Sequence, residues 1–188
     1  MMNNNARIGL IGETAATLEL LKKGIDVVNI NSYYRNYKNA DLESMNPETG
    51  KSAMIQVKTG TTHNILTGFI SETNGTIKDF DSSIIGPWVF VYIPDGNYSD
   101  MKFYILSKDE VKTLIESSNE WYVTKWDRDL KSKPMVGLEV DWLEGKNTPA
   151  KTNGTKTYPE YKNPLGQQSI KGQKVSENRW DKIIDLLK

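Results

Sequence analysis

The sequence predicts an α/β domain in which a mixed central β-sheet is flanked by helices. Three observations predict it. Apolar residues recur at three- and four-residue spacing at both ends of the chain and after Ser107, the pattern of helices with one buried face. Short runs rich in β-branched and aromatic residues lie between them, separated by turn formers. The most apolar of these runs, Trp88 to Ile93, is continuous rather than alternating, as an interior strand covered on both faces should be.

Composition bounds the chemistry. With 188 residues, 37% hydrophobic and 26% charged, the chain has the size and balance of one globular domain. It has no Cys and a single His, His63, which excludes disulfides, thiolate metal centres, a thiol nucleophile and any site that needs two imidazoles. Lys and Arg total 24 against 24 Asp and Glu, a balance that argues against tight non-specific coating of DNA. No apolar run approaches the roughly 20 residues of a membrane span, and the Asn-rich start lacks a signal peptide's apolar stretch. A cytoplasmic protein without membrane contact is the expectation.

The elements follow in order. Ile8, Ile11, Ala15, Leu18 and Leu21 predict a helix from Arg7 to Lys23, stopped by Gly24 after two lysines. Glu13 falls in a column with Leu10, Thr17 and Leu20, at the edge of the expected buried face. Ile25–Ile30 and Asp41–Met45 read as strands, with Tyr33, Tyr34 and Tyr37 in the loop between. Asn46 to Lys51 is a turn, so Asp41–Met45 and Ala53–Thr59 form a hairpin. Further strands are expected at Ile65–Ser71, Trp88–Ile93, Met101–Leu106, Trp121–Val123 and around Val136–Trp142. Ser107 and Glu110 match a capping box that starts a helix, and Ser176 is the expected cap of a last helix carrying Trp180, Ile183, Ile184 and Leu187. Residues 145–174 hold three Pro, four Gly and six Lys against the single acid Glu160, and read as a Lys-rich loop or insertion in a core made of 1–144 and 175–188.

The informative constellation is Asp41, a hairpin, then Gln56-Val57-Lys58. Strand alternation sends Gln56 and Lys58 to one face and Val57 to the other, and the hairpin lays Asp41 beside Gln56. A carboxylate, an amide oxygen and the Val57 main-chain carbonyl suit a hard cation such as Mg²⁺, with Lys58 placed to act on water or on phosphoryl charge. Each residue alone also has an ordinary reading, as a solvated lysine or a strand-end aspartate. Only the ordered set points to chemistry.

Taken with the opening helix and Glu13, this order resembles the PD-(D/E)XK, or restriction-endonuclease-like, nucleases, and in particular a branch whose second motif reads Q-x-K. The resemblance implies a core in the order α-β-β-β-α-β. It also implies a Mg²⁺-dependent endonuclease, with Mn²⁺ as the other usable ion, that hydrolyses DNA phosphodiesters through a metal-activated water. By that resemblance Asp41 is the main metal ligand, Gln56 and the Val57 carbonyl complete the set, Lys58 assists the water, and Glu13 binds a second metal or orients Lys58. The sequence departs from the pattern at Asn39-Ala40 before Asp41, where Pro is common, and at Gln56, which carries no charge. A non-catalytic nucleic-acid-binding or assembly protein on the same fold is therefore the alternative. Lys151, Lys156, Lys162 and Tyr34 are the expected nucleic-acid contacts; RNA is not excluded as partner, and a homodimer is compatible with the reading.

Overall fold

The computed structural model describes residues 4–34, 37–125, 130–154, 156–166 and 174–188. Its centre is a five-stranded mixed sheet in the order β1-β2-β3-β5-β6, from β1 (Asp26–Asn29), β2 (Leu42–Met45), β3 (Ser52–Gly60), β5 (Trp88–Tyr92) and β6 (Lys102–Leu106). Neighbours run antiparallel except β3 and β5, which are parallel with Gln56 opposite Trp88 and Lys58 opposite Phe90. The chain is a mixed α/β protein with helices on its sheet. No helix among the described residues is long and apolar enough to cross a membrane.

Strand alternation divides the interior into two layers. Ile55, Val57, Val89, Val91 and Ile105 project onto α1 (Asn4–Leu21) and the C-terminal Trp180, Ile183 and Leu187. Trp88, Phe90, Tyr104 and Leu106 project the other way, onto α3 (Lys108–Glu120) and a two-stranded sheet of β4 (Asn64–Ile70) and β7 (Met135–Glu139). The Asn46–Lys51 turn forms as predicted: Asn46 N donates to Lys51 O over 3.0 Å, and Thr49 Oγ1 ties the turn to the C-terminal segment by donating to Leu187 O over 2.6 Å. α2 (Phe80–Ser83) lies on the crossover from β4 to β5.

α1 exists where the apolar spacing put it, but it turns a different face inward. Gly12, Ala16 and Leu20 are buried, whereas Leu18 is 52% exposed and Leu21 49%. Close packing decided this. A Cβ on Gly12 would stand 1.8 Å from Thr59 Oγ1, so only a glycine lets α1 approach β3 this closely. Replacing it would force the helix off the sheet, and the spacing of large residues could not reveal a face built of small ones.

Four further expectations change. Trp121–Val123 is no strand: Trp121–Lys125 continues α3 as a wide π turn, which lets the consecutive Trp121 and Tyr122 both bury against Trp142. The strand begun at Met135 ends at Glu139 and passes into one helical turn, α4 (Val140–Leu143). Ser176 does not cap the last helix, because its Oγ donates instead to Leu143 O; α5 spans only Asp181–Ile184, with Trp180 at its N-cap. The Ser107 capping box, in contrast, forms with both reciprocal hydrogen bonds.

The Lys-rich stretch docks on the core where it is described. Lys151–Asn153 (β8) and Lys156–Tyr158 (β9) pair as a short hairpin, and Tyr161 stacks on Trp142 with ring centroids 4.1 Å apart. Asn163, buried, donates through Nδ2 to Trp142 O at 2.7 Å and accepts through Oδ1 from Leu165 N at 2.9 Å. A few buried anchors outweigh the low apolar content. Lys171 lies outside the described residues.

Candidate active site

β2 is shorter than β3, and the mismatch creates the site. The β2–β3 ladder closes with Asp41 N donating to Ile55 O over 2.9 Å. Val57, two residues further along β3, aims its N–H to the same side, where no strand remains to pair with it. The Asp41 carboxylate takes that place: Oδ2 accepts from Val57 N at 2.8 Å and from the Gln56 side-chain amide, and Oδ1 accepts from Asn31 Nδ2 at 3.2 Å. In a strand the carbonyl leaves on the side of its own N–H, so the Val57 C=O also faces the gap beyond the end of β2. Gln56 is only 8% exposed.

Glu13 reaches the same gap from α1, one residue after the glycine that seats the helix on β3. Its Oε2 accepts from Asn29 Nδ2 at 2.8 Å. Burial raises its pKa above the usual carboxylate range; the Asn29 hydrogen bond opposes this, the nearby Asp41 charge adds to it, and Asn31 and Lys58 oppose it further. The other side-chain polar atom of Asn29, Oδ1, is buried with no hydrogen-bond partner, an acceptor held ready in an oxygen-rich corner.

Lys58 crosses the face of Trp88, its ammonium 5.4 Å from the ring centroid. Burial lowers its pKa, and the Asp41 and Glu13 charges partly restore it. Among the described residues no carboxylate lies within ion-pair distance of this ammonium. The structure thus brings Glu13, Asp41, Gln56 and Lys58 together.

Tyr34 stands at the rim of this region, 70% exposed. Of the predicted lysines, Lys151 lies over the Tyr158 ring at 5.7 Å, Lys162 is exposed, and Lys156 lies in β9. His63, read as a loop residue, sits 3.3 Å from Asp141 beside a cavity of about 350 Å³ walled by Trp121, Tyr122 and Trp142, which shares no residue with the Asp41 region. Asn29, Asn31 and Trp88 were missed by sequence reasoning. The two asparagines do carry a signal, since they stand two residues apart where the β1 run ends, Asn29 as its last residue and Asn31 in the helical turn Ile30–Ser32 that follows, whereas nothing in the sequence pairs Trp88 with Lys58.

The donor set fits a hard divalent cation. Two carboxylates, the Gln56 amide, the Val57 carbonyl and the orphaned Asn29 oxygen are oxygen donors of the kind Mg²⁺ and Mn²⁺ accept. No cluster of three or more acidic, imidazole or thiol side chains suited to a metal occurs among the described residues, so an ion at this place would need neutral oxygens among its ligands.

No family model and no curated protein sequence matches this chain. Among solved structures it is similar to that of a bacterial homing endonuclease, with 18% identity, a TM-score of 0.44, and 59% of this chain and 74% of that chain covered.

Proposed function

We infer that the protein is a divalent-metal-dependent endonuclease that hydrolyses DNA phosphodiester bonds at the Asp41 gap. The observation that carries this reading is the convergence of Glu13, Asp41 and Gln56, with an Asn29 oxygen and a Lys58 ammonium that, among the described residues, have respectively no hydrogen-bond partner and no carboxylate within ion-pair distance. The order of these residues along the chain, which resembles the restriction-endonuclease-like nucleases, supports it.

Asp41, Gln56 and the Val57 carbonyl would hold Mg²⁺ or Mn²⁺, with Glu13 and Asn29 beside them. When bound, the ion supplies Lewis-acid charge to the phosphoryl group and acidifies a water. The chain's own groups do the rest. Asn31 and the Val57 N–H fix the Asp41 carboxylate so that it needs no reorganisation on binding. The Trp88 face holds the Lys58 ammonium in position, free to donate to a non-bridging phosphoryl oxygen as negative charge grows there. Glu13, with its raised pKa, accepts or holds a proton more readily than a solvated glutamate.

One observation favours a second reading. Gln56 is neutral and already spends its amide on Asp41, which suits a protein that keeps the fold and binds nucleic acid without cutting it. Plasmid nicking with Mg²⁺ and Mn²⁺, beside isothermal titration of each ion, separates the two. Wild type should nick only with a divalent ion, and Asp41→Asn should lower the rate by about 10³-fold, the equivalent of several kcal/mol of transition-state stabilisation, while melting near wild type. Nicking unchanged by Asp41→Asn removes Asp41 from the mechanism. DNA binding without cleavage or metal uptake by wild type establishes the second reading.

A further inference from the structure

A pocket of about 160 Å³ opens on the same sheet face as the Asp41 gap. Tyr33, Tyr34 and Tyr37 wall it, Val28 and Met54 floor it, and Glu43 is its one charged residue. Cross-strand register assembles the floor, since Glu43 stands opposite Val28 on β1 and Met54 on β3. The pocket adjoins the candidate site: Asp41 precedes Glu43 by two residues and Gln56 follows Met54 by two, which places both on this face about 7 Å along the strands. Asn31, bonded to Asp41, opens the loop that carries the tyrosines. Among the described residues the Glu43 carboxylate has no hydrogen-bond or ion-pair partner. Tyr33 and Tyr34 are 76% and 70% exposed, although their rings would gain by stacking on something flat.

We propose that this pocket receives an unpaired guanine of the substrate strand, adjacent to the phosphodiester held at Asp41. The proposal rests on the nuclease reading above and adds a substrate class to it: nucleic acid with a bulged, flipped or single-stranded guanine at the cutting site. Aromatic walls select a planar base by stacking, whichever base it is. Glu43 then chooses among bases. An ionised carboxylate only accepts hydrogen bonds, and guanine alone presents two adjacent N–H donors, at N1 and N2, that match both oxygens at once. Thymine flanks its one N–H with two carbonyls that repel a carboxylate, and cytosine and adenine each set an acceptor beside the amino group. Watson–Crick pairing hides the guanine N1–H, so the base must leave the duplex to be read.

The test is fluorescence anisotropy of the full-length protein, with Ca²⁺ in place of Mg²⁺, on labelled DNA hairpins that carry one bulged G, A, C or T or none. The guanine bulge should bind about ten-fold or more tighter than the thymine bulge and the perfect duplex, as one good bidentate contact implies. Glu43→Gln should shrink the guanine-to-thymine ratio below about three-fold, and Tyr34→Leu should weaken binding of all four bulges together. Melting curves establish that both variants fold. A wild-type ratio within about three-fold, or a ratio that Glu43→Gln leaves intact, overturns the guanine pocket; metal-dependent nicking of plasmid then still stands for the nuclease reading. Failure of wild type both to bind any of the hairpins and to nick plasmid overturns the two together.

Discussion

Two lysines in this molecule are withdrawn from water in different ways. Lys182 is enclosed at the foot of α3, where its ammonium donates to Glu110 Oε2 at 2.6 Å, Glu110 Oε1 at 2.8 Å and Val175 O at 2.7 Å. All three ammonium protons have acceptors, and Glu110 also closes the capping box, so this pair is architecture: it fastens the C-terminal segment to the start of α3. Lys58 is desolvated as well, but it lies over an indole ring and, among the described residues, has no carboxylate within ion-pair distance, the Asp41 carboxylate being committed to Asn31, Gln56 and Val57. A fold that needed a lysine there for stability would have given it acceptors. The contrast separates a buried charge whose protons all find acceptors in the fold from one that is desolvated without an ion-pair partner among the described residues.

The comparison breaks first at the lysines themselves. Lys182→Met leaves the Glu110 carboxylate without its buried partner and should cost about 3 kcal/mol in urea unfolding, while cleavage per folded molecule stays near wild type. Lys58→Met should do the reverse, holding or raising stability while lowering cleavage by about 10²-fold. If Lys58→Met destabilised as much as Lys182→Met, Lys58 would be a structural residue.

Gln56 sharpens the contrast by changing one charge. In Gln56→Glu two carboxylates face each other where an amide now donates to Asp41, so the metal-free protein should melt lower. A cation relieves that repulsion, and its affinity should rise by about ten-fold, or ~1.4 kcal/mol, in isothermal titration. Identical isotherms for wild type and variant would show that Gln56 does not face the ion.

Glu13 gives a smaller effect that pH reveals. Since its native pKa is raised, the folded chain binds the Glu13 proton more tightly than the unfolded chain does. Its contribution to stability is therefore fully present below the ordinary glutamate value of about 4.3 and is lost as pH rises through the native value. Urea unfolding in EDTA across this range should show a decline in wild type that Glu13→Gln reduces. Equal pH slopes in the two proteins would mean that the Glu13 environment does not disfavour its charge.

The weakest expected effect belongs to the basic stretch, remote in sequence from Lys58. Changing Lys151 and Lys162 to Gln should lower the log–log salt dependence of DNA binding by about one unit for each phosphate that a lysine no longer neutralises. An unaltered slope assigns the stretch to its docking role around Tyr161 and Asn163.

Much of this molecule can be read from residue order. The hairpin of Asp41–Met45 with Ala53–Thr59 follows from turn chemistry at Asn46–Lys51 and from β-branched alternation, which are local properties. The Ser107 helix follows from its capping box in the same way, and the meeting of Asp41 with Gln56 from strand pairing across a short turn. Where the reading failed, the deciding interaction was remote. Ser176 would cap a helix on local grounds, but Leu143 O, 33 residues away, takes its hydroxyl. Trp121 and Tyr122 alternate like strand residues, yet both fit one aromatic cluster only when the backbone widens into a π turn.

The sequence by itself determined the class of fold, the strand pair at the site and the chemical kit of one aspartate, one glutamine and one lysine. Each depends on neighbours a few residues apart, whose geometry backbone sterics and turn propensities already restrict. Only the tertiary structure decided which face α1 buries, that Asn29 and Asn31 complete the acidic corner, that Trp88 carries Lys58, and that three tyrosines gather around Glu43. Those outcomes depend on how closely Gly12 lets a helix approach a strand and on where β2 ends relative to β3. Both are set by packing between segments far apart in the chain, which no local pattern records.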